Sequence, residues 1–252
     1  MSFPLQIRLI VCLLALICVS CGDEVAGPSK HDYLPGETGD WYVSKTKTWN
    51  IEGDTLGSTV GAWMVVRRGD TLEGHGDVIS FQSFDPRTGE FTADSLFMGD
   101  WDNGIHMYRS PTDVIELAKR WVRVADFGRD SSWVTLDTTM TNATITLEGV
   151  DYVGDGRVVQ RIAPNDASVI IFANRGGTAV LARCFAQVTF YEFTVMVNGQ
   201  PTPLEFAEVE NFCIARDRGT VKRRRDAYTI QLGTNTIGVN GFETLMANSG
   251  SN

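Results

Sequence analysis

Three histidines, His31, His75 and His106, are the side chains through which this 252-residue chain would most readily move a proton or hold a metal ion near neutral pH. No two of them stand at the His-Glu-x-x-His spacing that puts a pair of imidazoles on one helix face. His75, in Gly74-His75-Gly76-Asp77, has Asp77 two residues on as an orienting carboxylate for general-base work, but the glycine-flanked stretch reads better as an exposed hairpin histidine. Asp100, Asp102, Asn103 and Gly104 suggest a calcium loop. With Gly104 in the sixth position, however, the first and third positions fall on Gly99 and Trp101, which have no oxygen ligands to offer. Asp151, Asp155 and Asp166 read as turn residues. The sequence also lacks a Gly-x-Ser-x-Gly nucleophile elbow and a glycine-rich phosphate loop. These residues support a non-enzymatic chain, with no cofactor and no metal expected.

Aromatic residues offer a different chemistry. Trp41, Trp49, Trp63, Trp121 and Trp133 lie in apolar runs and are candidates for a core, where a ring buries a large area. Trp101 lies between Asp100 and Asp102 in a polar turn, which makes it the candidate exposed contact, able to stack on a sugar or insert into a partner.

The elements that would carry these residues are strands. Apolar residues make up 43% of the chain and aromatics 10%, and Val, Thr, Phe and Trp recur in short alternating runs between Gly, Asp and Asn turns. About fourteen candidate strands follow from Trp41 onward, with turns at Glu52-Gly53-Asp54, Arg68-Gly69-Asp70, Asp85–Gly89, Gly99–Gly104, Asp151–Gly156 and Asn198-Gly199. Asp113–Phe127 carries Val114, Ala118, Trp121, Val122 and Ala125 at helical spacing behind Thr112, and is read as a helix or irregular segment, although Trp121–Val124 would also suit a strand. The expected fold class is mainly β: an antiparallel sheet forming a half-barrel, open barrel or sandwich, with at most one or two short helices, in a single domain over residues 37–248.

The formal charge of −9 comes without a long basic stripe, so a nucleic-acid partner is excluded. Lys222-Arg223-Arg224-Arg225, flanked by Asp217 and Asp226, reads as a solvated strand end.

Residues 1–20 form a leader: Arg8 is its positive charge and Leu9–Val19 its apolar run, far short of the roughly 20 residues a membrane-spanning helix needs. Val19-Ser20-Cys21-Gly22 resembles the lipobox of bacterial lipoproteins, with Cys18 where that motif usually has Leu. The resemblance implies cleavage before Cys21, acylation of its thiol and new amine, and near-permanent attachment, since each buried methylene contributes about 0.8 kcal/mol. Gly22 in place of a retention aspartate favours the outer membrane. Asp23-Glu24 is similar to the acidic surface-export signal of some lipoproteins, so the domain would face the periplasm or the cell surface. Residues 21–36, rich in Gly and Pro, would form a flexible tether. With Cys12 and Cys18 removed and Cys21 acylated, Cys184 and Cys213 remain in an oxidising compartment, either as a disulfide or as two buried thiols.

The mature chain bears a second resemblance. Tyr33-Leu34-Pro35-Gly36-Glu37-Thr38-Gly39-Asp40-Trp41-Tyr42 and Cys213–Lys222 are similar to the opening and late motifs of uncharacterised bacterial lipoproteins, with Arg218 and Thr220 where the late motif usually has aliphatic residues. That family resembles periplasmic lipoprotein carriers with β-rich half-barrels, which implies a fold and a location but no catalytic residues. The expected protein is lipid-anchored in the cell envelope, its membrane contact the N-terminal acyl chains. Its domain would bind an envelope protein or an apolar ligand; the alternatives are a lipid carrier or sensor with an internal cavity, and a glycan-binding surface protein.

Overall fold

The computed structural model describes residue 34 and residues 37–171, 179–215 and 218–250. The leader, Cys21 and all of the tether but Leu34 lie outside the described residues. Leu34 itself is buried in the core.

Fourteen strands and, among the described residues, no helix make up the fold: β1 (Trp41–Trp49), β2 (Thr55–Leu72), β3 (His75–Phe84), β4 (Phe91–Trp101), β5 (Gly104–Arg109), β6 (Arg120–Asp126), β7 (Trp133–Leu147), β8 (Val150–Ile171), β9 (Ala179–Val197), β10 (Gln200–Ala215), β11 (Gly219–Arg225), β12 (Tyr228–Leu232), β13 (Asn235–Val239) and β14 (Gly241–Gly250). Twelve of them form one antiparallel sheet in the order β6-β5-β4-β3-β2-β1-β14-β11-β10-β9-β8-β7, and β12-β13 is a separate hairpin. The sheet curls into a nearly closed barrel with one seam, between β6 and β7.

Alternation in the sequence decides which face turns inward. Along β9, Phe185, Gln187, Thr189, Tyr191, Phe193 and Val195 are buried, while Phe190, Glu192, Thr194 and Met196 between them are exposed. The barrel interior at one end holds Val65, Ile79, Phe81, Ile105, Val122, Phe185 and Ile214. At the other end the long strands β7–β10 run on, and Leu136, Ile145, Val158, Tyr191, Phe193 and Leu204 are capped by Ile230, Leu232 and Val239 of the β12-β13 hairpin. An apolar interior with Lys45 and Lys47 on the outside reverses the arrangement of an outer-membrane barrel, whose lumen is polar and whose outer face is apolar.

No ladder closes the seam. Trp133 Nε1 donates to Arg123 O at 3.2 Å, and Arg120 Nη2 to Thr135 O at 2.9 Å. The segment before β6 also reaches across, where Ile115 bridges Ile145 and Thr146 N donates to Val114 O at 2.9 Å. The helical reading of Asp113–Phe127 is therefore corrected to an extended segment followed by a strand. Val122 and Val124 are buried on either side of Arg123, whereas Ala118, which helical spacing would bury, is exposed. Period two wins because β6 lines the barrel.

A second correction concerns Asp151–Gly156, which lies inside β8. The turn is at Glu148-Gly149, both at positive φ. Gly154 and Gly156 are not turn residues: a Cβ on Gly156 would sit 2.2 Å from Glu192 O and 2.5 Å from the Phe193 ring, and one on Gly154 2.2 Å from Thr194 O. The glycines let β8 pass close against β9.

Candidate functional site

A cavity of about 330 Å³ lies inside the barrel. Tyr42, Trp63, Phe81, Met98, Met107 and Phe212 supply its apolar wall, drawn from β1, β2, β3, β4, β5 and β10. Exposed Ser95 and Thr220 also line it, so it reaches solvent. Its volume falls at the lower end of small-ligand pockets, and its character, mostly apolar with a few fixed polar groups, is theirs.

Arg109, Gln187, Glu210 and Arg223 form the linked part of its polar lining, which also includes Ser44, Arg218, Lys222 and Thr244. Gln187 and Glu210 face each other across the β9-β10 ladder, and Arg223 stands on β11 beside them, opposite Phe212. Arg223 grips Glu210 with two parts of its guanidinium, Nη2 to Oε2 at 2.8 Å and Nε to Oε1. Its ring neighbour is Phe242, 5.2 Å from the guanidinium carbon. Burial alone would lower the Arg223 pKa, but the Glu210 hydrogen bond and charge outweigh it and raise the value. Next to it Arg225 Nη1 binds Glu208 Oε1 at 2.7 Å.

Arg109 ends β5, on the far side of the seam. Its Nη2 donates to Gln187 Oε1 at 2.8 Å, so one hydrogen bond links strands that the sheet order separates by β6, the seam, β7 and β8. Its Nε is buried without a hydrogen-bond partner. Burial first, and then the positive charge of Arg223, push the Arg109 pKa down. Beneath this layer a neutral network continues: Gln160 Nε2 donates to Pro111 O at 2.7 Å, Thr135 Oγ1 to Gln160 Oε1 at 2.8 Å, and the Thr112 and Tyr191 hydroxyls meet at 2.5 Å.

The residues singled out in the sequence lie elsewhere. Trp101 is not an open contact. It is half-buried, with His75 stacked on one neighbouring side at 4.4 Å and His106 likewise at 4.4 Å, and Trp121 at its edge 4.9 Å away. The β2-β3 hairpin brings His75 to it, and Trp121 Nε1 donates to Leu72 O of that hairpin at 3.2 Å. His106 is buried, its Nδ1 without a partner, and desolvation, with Arg123 nearby, lowers its pKa to about 4. His31 lies outside the described residues. Asp151 Oδ1 accepts from Thr146 Oγ1 at 2.7 Å and Asp155 Oδ1 from Asn142 N at 2.7 Å, so both carboxylates serve cross-strand bonds. The Asp166 side chain is outside the described set. Among the described residues no three His, Cys, Asp or Glu side chains are grouped to hold a metal. Cys184 and Cys213 face each other in the β9-β10 register and are joined by a disulfide.

Sequence reasoning missed the polar side of the cavity because it read Lys222–Arg225 as a solvated strand end. Only half of that holds. Lys222 and Arg224 pair with Glu243 and Asp226 at the surface, while Arg223 and Arg225 pair with Glu210 and Glu208. The signal was present: Glu208 and Glu210 alternate at the same period of two as Arg223 and Arg225, one strand away.

The fold and site define an all-β protein, a nearly closed antiparallel barrel with an interior cavity. No family model matches the chain, and no curated protein does. Among solved structures it is similar to a protein taken to be a lipoprotein from Parabacteroides distasonis, at 8% identity and a TM-score of 0.48, covering 87% of this chain and 99% of that one. It is also similar to a protein taken to be exported, of YmcC-like fold, from Bacteroides fragilis, at 10% identity and a TM-score of 0.39, covering 88% of this chain and 100% of that one.

Proposed function

We propose that this protein is a lipid-anchored ligand-binding protein of the cell envelope, held by Cys21 and binding an apolar or amphipathic small molecule inside the barrel without transforming it. The observation that carries the reading is the 330 Å³ cavity, walled by Tyr42, Trp63, Phe81, Met98, Met107 and Phe212 and reaching solvent. Burying such a ligand against these side chains contributes about 25 cal/mol per Å² of apolar surface removed from water, the principal source of affinity in a site of this kind. A carrier or sensor of lipid fits this geometry. The cavity favours this reading over carbohydrate binding through Trp101, whose ring is already engaged with His75 and His106.

Native mass spectrometry of the full chain released from membranes in mild detergent tests the reading. The expected result is a non-covalent adduct that denaturation removes and that 1-dodecanol replaces in stripped protein. Absence of both adduct and dodecanol binding would overturn it. The anchor is tested separately: the acyl mass should vanish in Cys21→Ala, and an unchanged mass with unchanged membrane association would refute acylation at that residue.

A further inference from the structure

Resting on the reading of the cavity as a ligand site, we infer that its ligand is a single-chain amphiphile with an anionic head, and that Arg109, oriented by Gln187, receives that head. Three carboxylates, Glu208, Glu210 and Asp113, stand near the three arginines at the polar side of the cavity, but only two of the arginines have a carboxylate at hydrogen-bond distance. Arg223 is matched by Glu210 and Arg225 by Glu208, each at hydrogen-bond distance. Arg109 has no carboxylate in that position; its bonded partner is the neutral amide of Gln187, at 2.8 Å. Its Nε is buried and unbonded. Buried charges in folded proteins are paired, because leaving one unpaired costs several kcal/mol. Arg109 nonetheless lines the cavity and keeps part of its surface toward it.

An anionic oxygen at the cavity face of this guanidinium would supply the missing counter-charge. It would also oppose the two causes that hold the Arg109 pKa down, its desolvation and the neighbouring Arg223 charge, which the more distant carboxylates Glu210, Asp113 and Glu208 offset only in part. The Arg is well suited to this task, since its planar fork binds carboxylate or phosphate oxygens while Gln187 fixes its plane. From that point the apolar wall of Trp63, Phe81, Met98 and Met107 accommodates an aliphatic chain. At roughly 30 Å³ per water-sized group, 330 Å³ holds about eleven such groups, which sets the buried chain at medium length. Ser95 and Thr220 at the exposed margin leave room for the remainder to pass out.

Carboxylate and phosphate heads share this chemistry, and titration calorimetry with three probes of equal chain separates them: dodecanoate, dodecyl phosphate and uncharged 1-dodecanol. The full chain should bind at least one anionic probe on the order of tenfold more tightly than dodecanol, as expected for a hydrogen-bonded charge pair. Whichever of dodecanoate and dodecyl phosphate is preferred names the head. Arg109→Met should erase that preference. Gln187→Glu offers a second arm that does not depend on the fate of the first variant. It places a carboxylate on Arg109, so the protein should lose its preference for the anion. Equal affinity for all three probes, or an anion preference undiminished in Gln187→Glu, would overturn the anionic head while the cavity reading stood. Failure to bind any of the three would overturn the cavity reading and this inference with it.

Discussion

Trp101 and Gly99 show how much can hang on one missing Cβ. The Trp101 ring lies directly over Gly99, where an added Cβ would come within 1.9 Å of ring carbon Cζ3. Gly99→Ala should therefore lift the ring from the His75 and His106 imidazoles, lowering stability by about 1–3 kcal/mol. A changed tryptophan emission spectrum and a lower urea midpoint would check this. His106, in the same cluster, makes a pH prediction. Its folded pKa of about 4 lies below the ordinary 6.5, so the unfolded chain binds the proton more readily. Stability should rise as pH climbs from about 4 through 6.5 and be fully present above that range, by roughly 2 kcal/mol once solvent screening is allowed for. The measurement is the urea midpoint at pH 4.5 and 7.5 in wild type and His106→Gln, whose difference should narrow at the lower pH.

At the scale of elements, β8 and β9 are the strands whose fit is least tolerant. Gly156→Ala would force a Cβ to within 2.2 Å of Glu192 O, a backbone atom that cannot move aside, and should cost more than 3 kcal/mol or bar folding; Gly57→Ala in β2 meets nothing within 4 Å and should be nearly neutral. Expression and thermal melts of the two variants check the contrast. The disulfide between Cys184 and Cys213 closes a loop of 29 residues in separation, and replacing both with Ala should lower the unfolding free energy by about 3.6 kcal/mol, read from denaturant curves. The strands themselves were legible in the sequence because a sheet with one apolar face writes its period directly into residue order, as β9 does from Phe185 to Val195. The failures share a cause. Gly154 and Gly156 resemble turn residues until β9 is seen lying against them, and Val114 to Ala125 has helical spacing until the barrel claims Val122 and Val124. In both cases a tertiary neighbour, absent from local sequence, decided the conformation.

For the whole molecule, the barrel's inside was foreseeable as apolar, but its charged layer was not. Arg109, Gln187, Glu210 and Arg223 belong to β5, β9, β10 and β11, and only the curling of the sheet until β6 approaches β7 brings Arg109 to Gln187. Charged residues near strand ends read as solvated because nothing in a linear sequence reports closure. The same closure creates the cavity, whose walls come from strands spread over most of the chain. On the proposed function, this space is filled by a ligand. Filling it instead with protein tests that most directly: Met98→Trp places an indole among Trp63, Phe81 and Met107. Calorimetric titration of 1-dodecanol into wild type should show saturable one-to-one binding with a negative heat-capacity change, the mark of apolar burial, and Met98→Trp should abolish it while the protein remains folded. Undiminished binding in folded Met98→Trp, or no binding in wild type, would contradict the account.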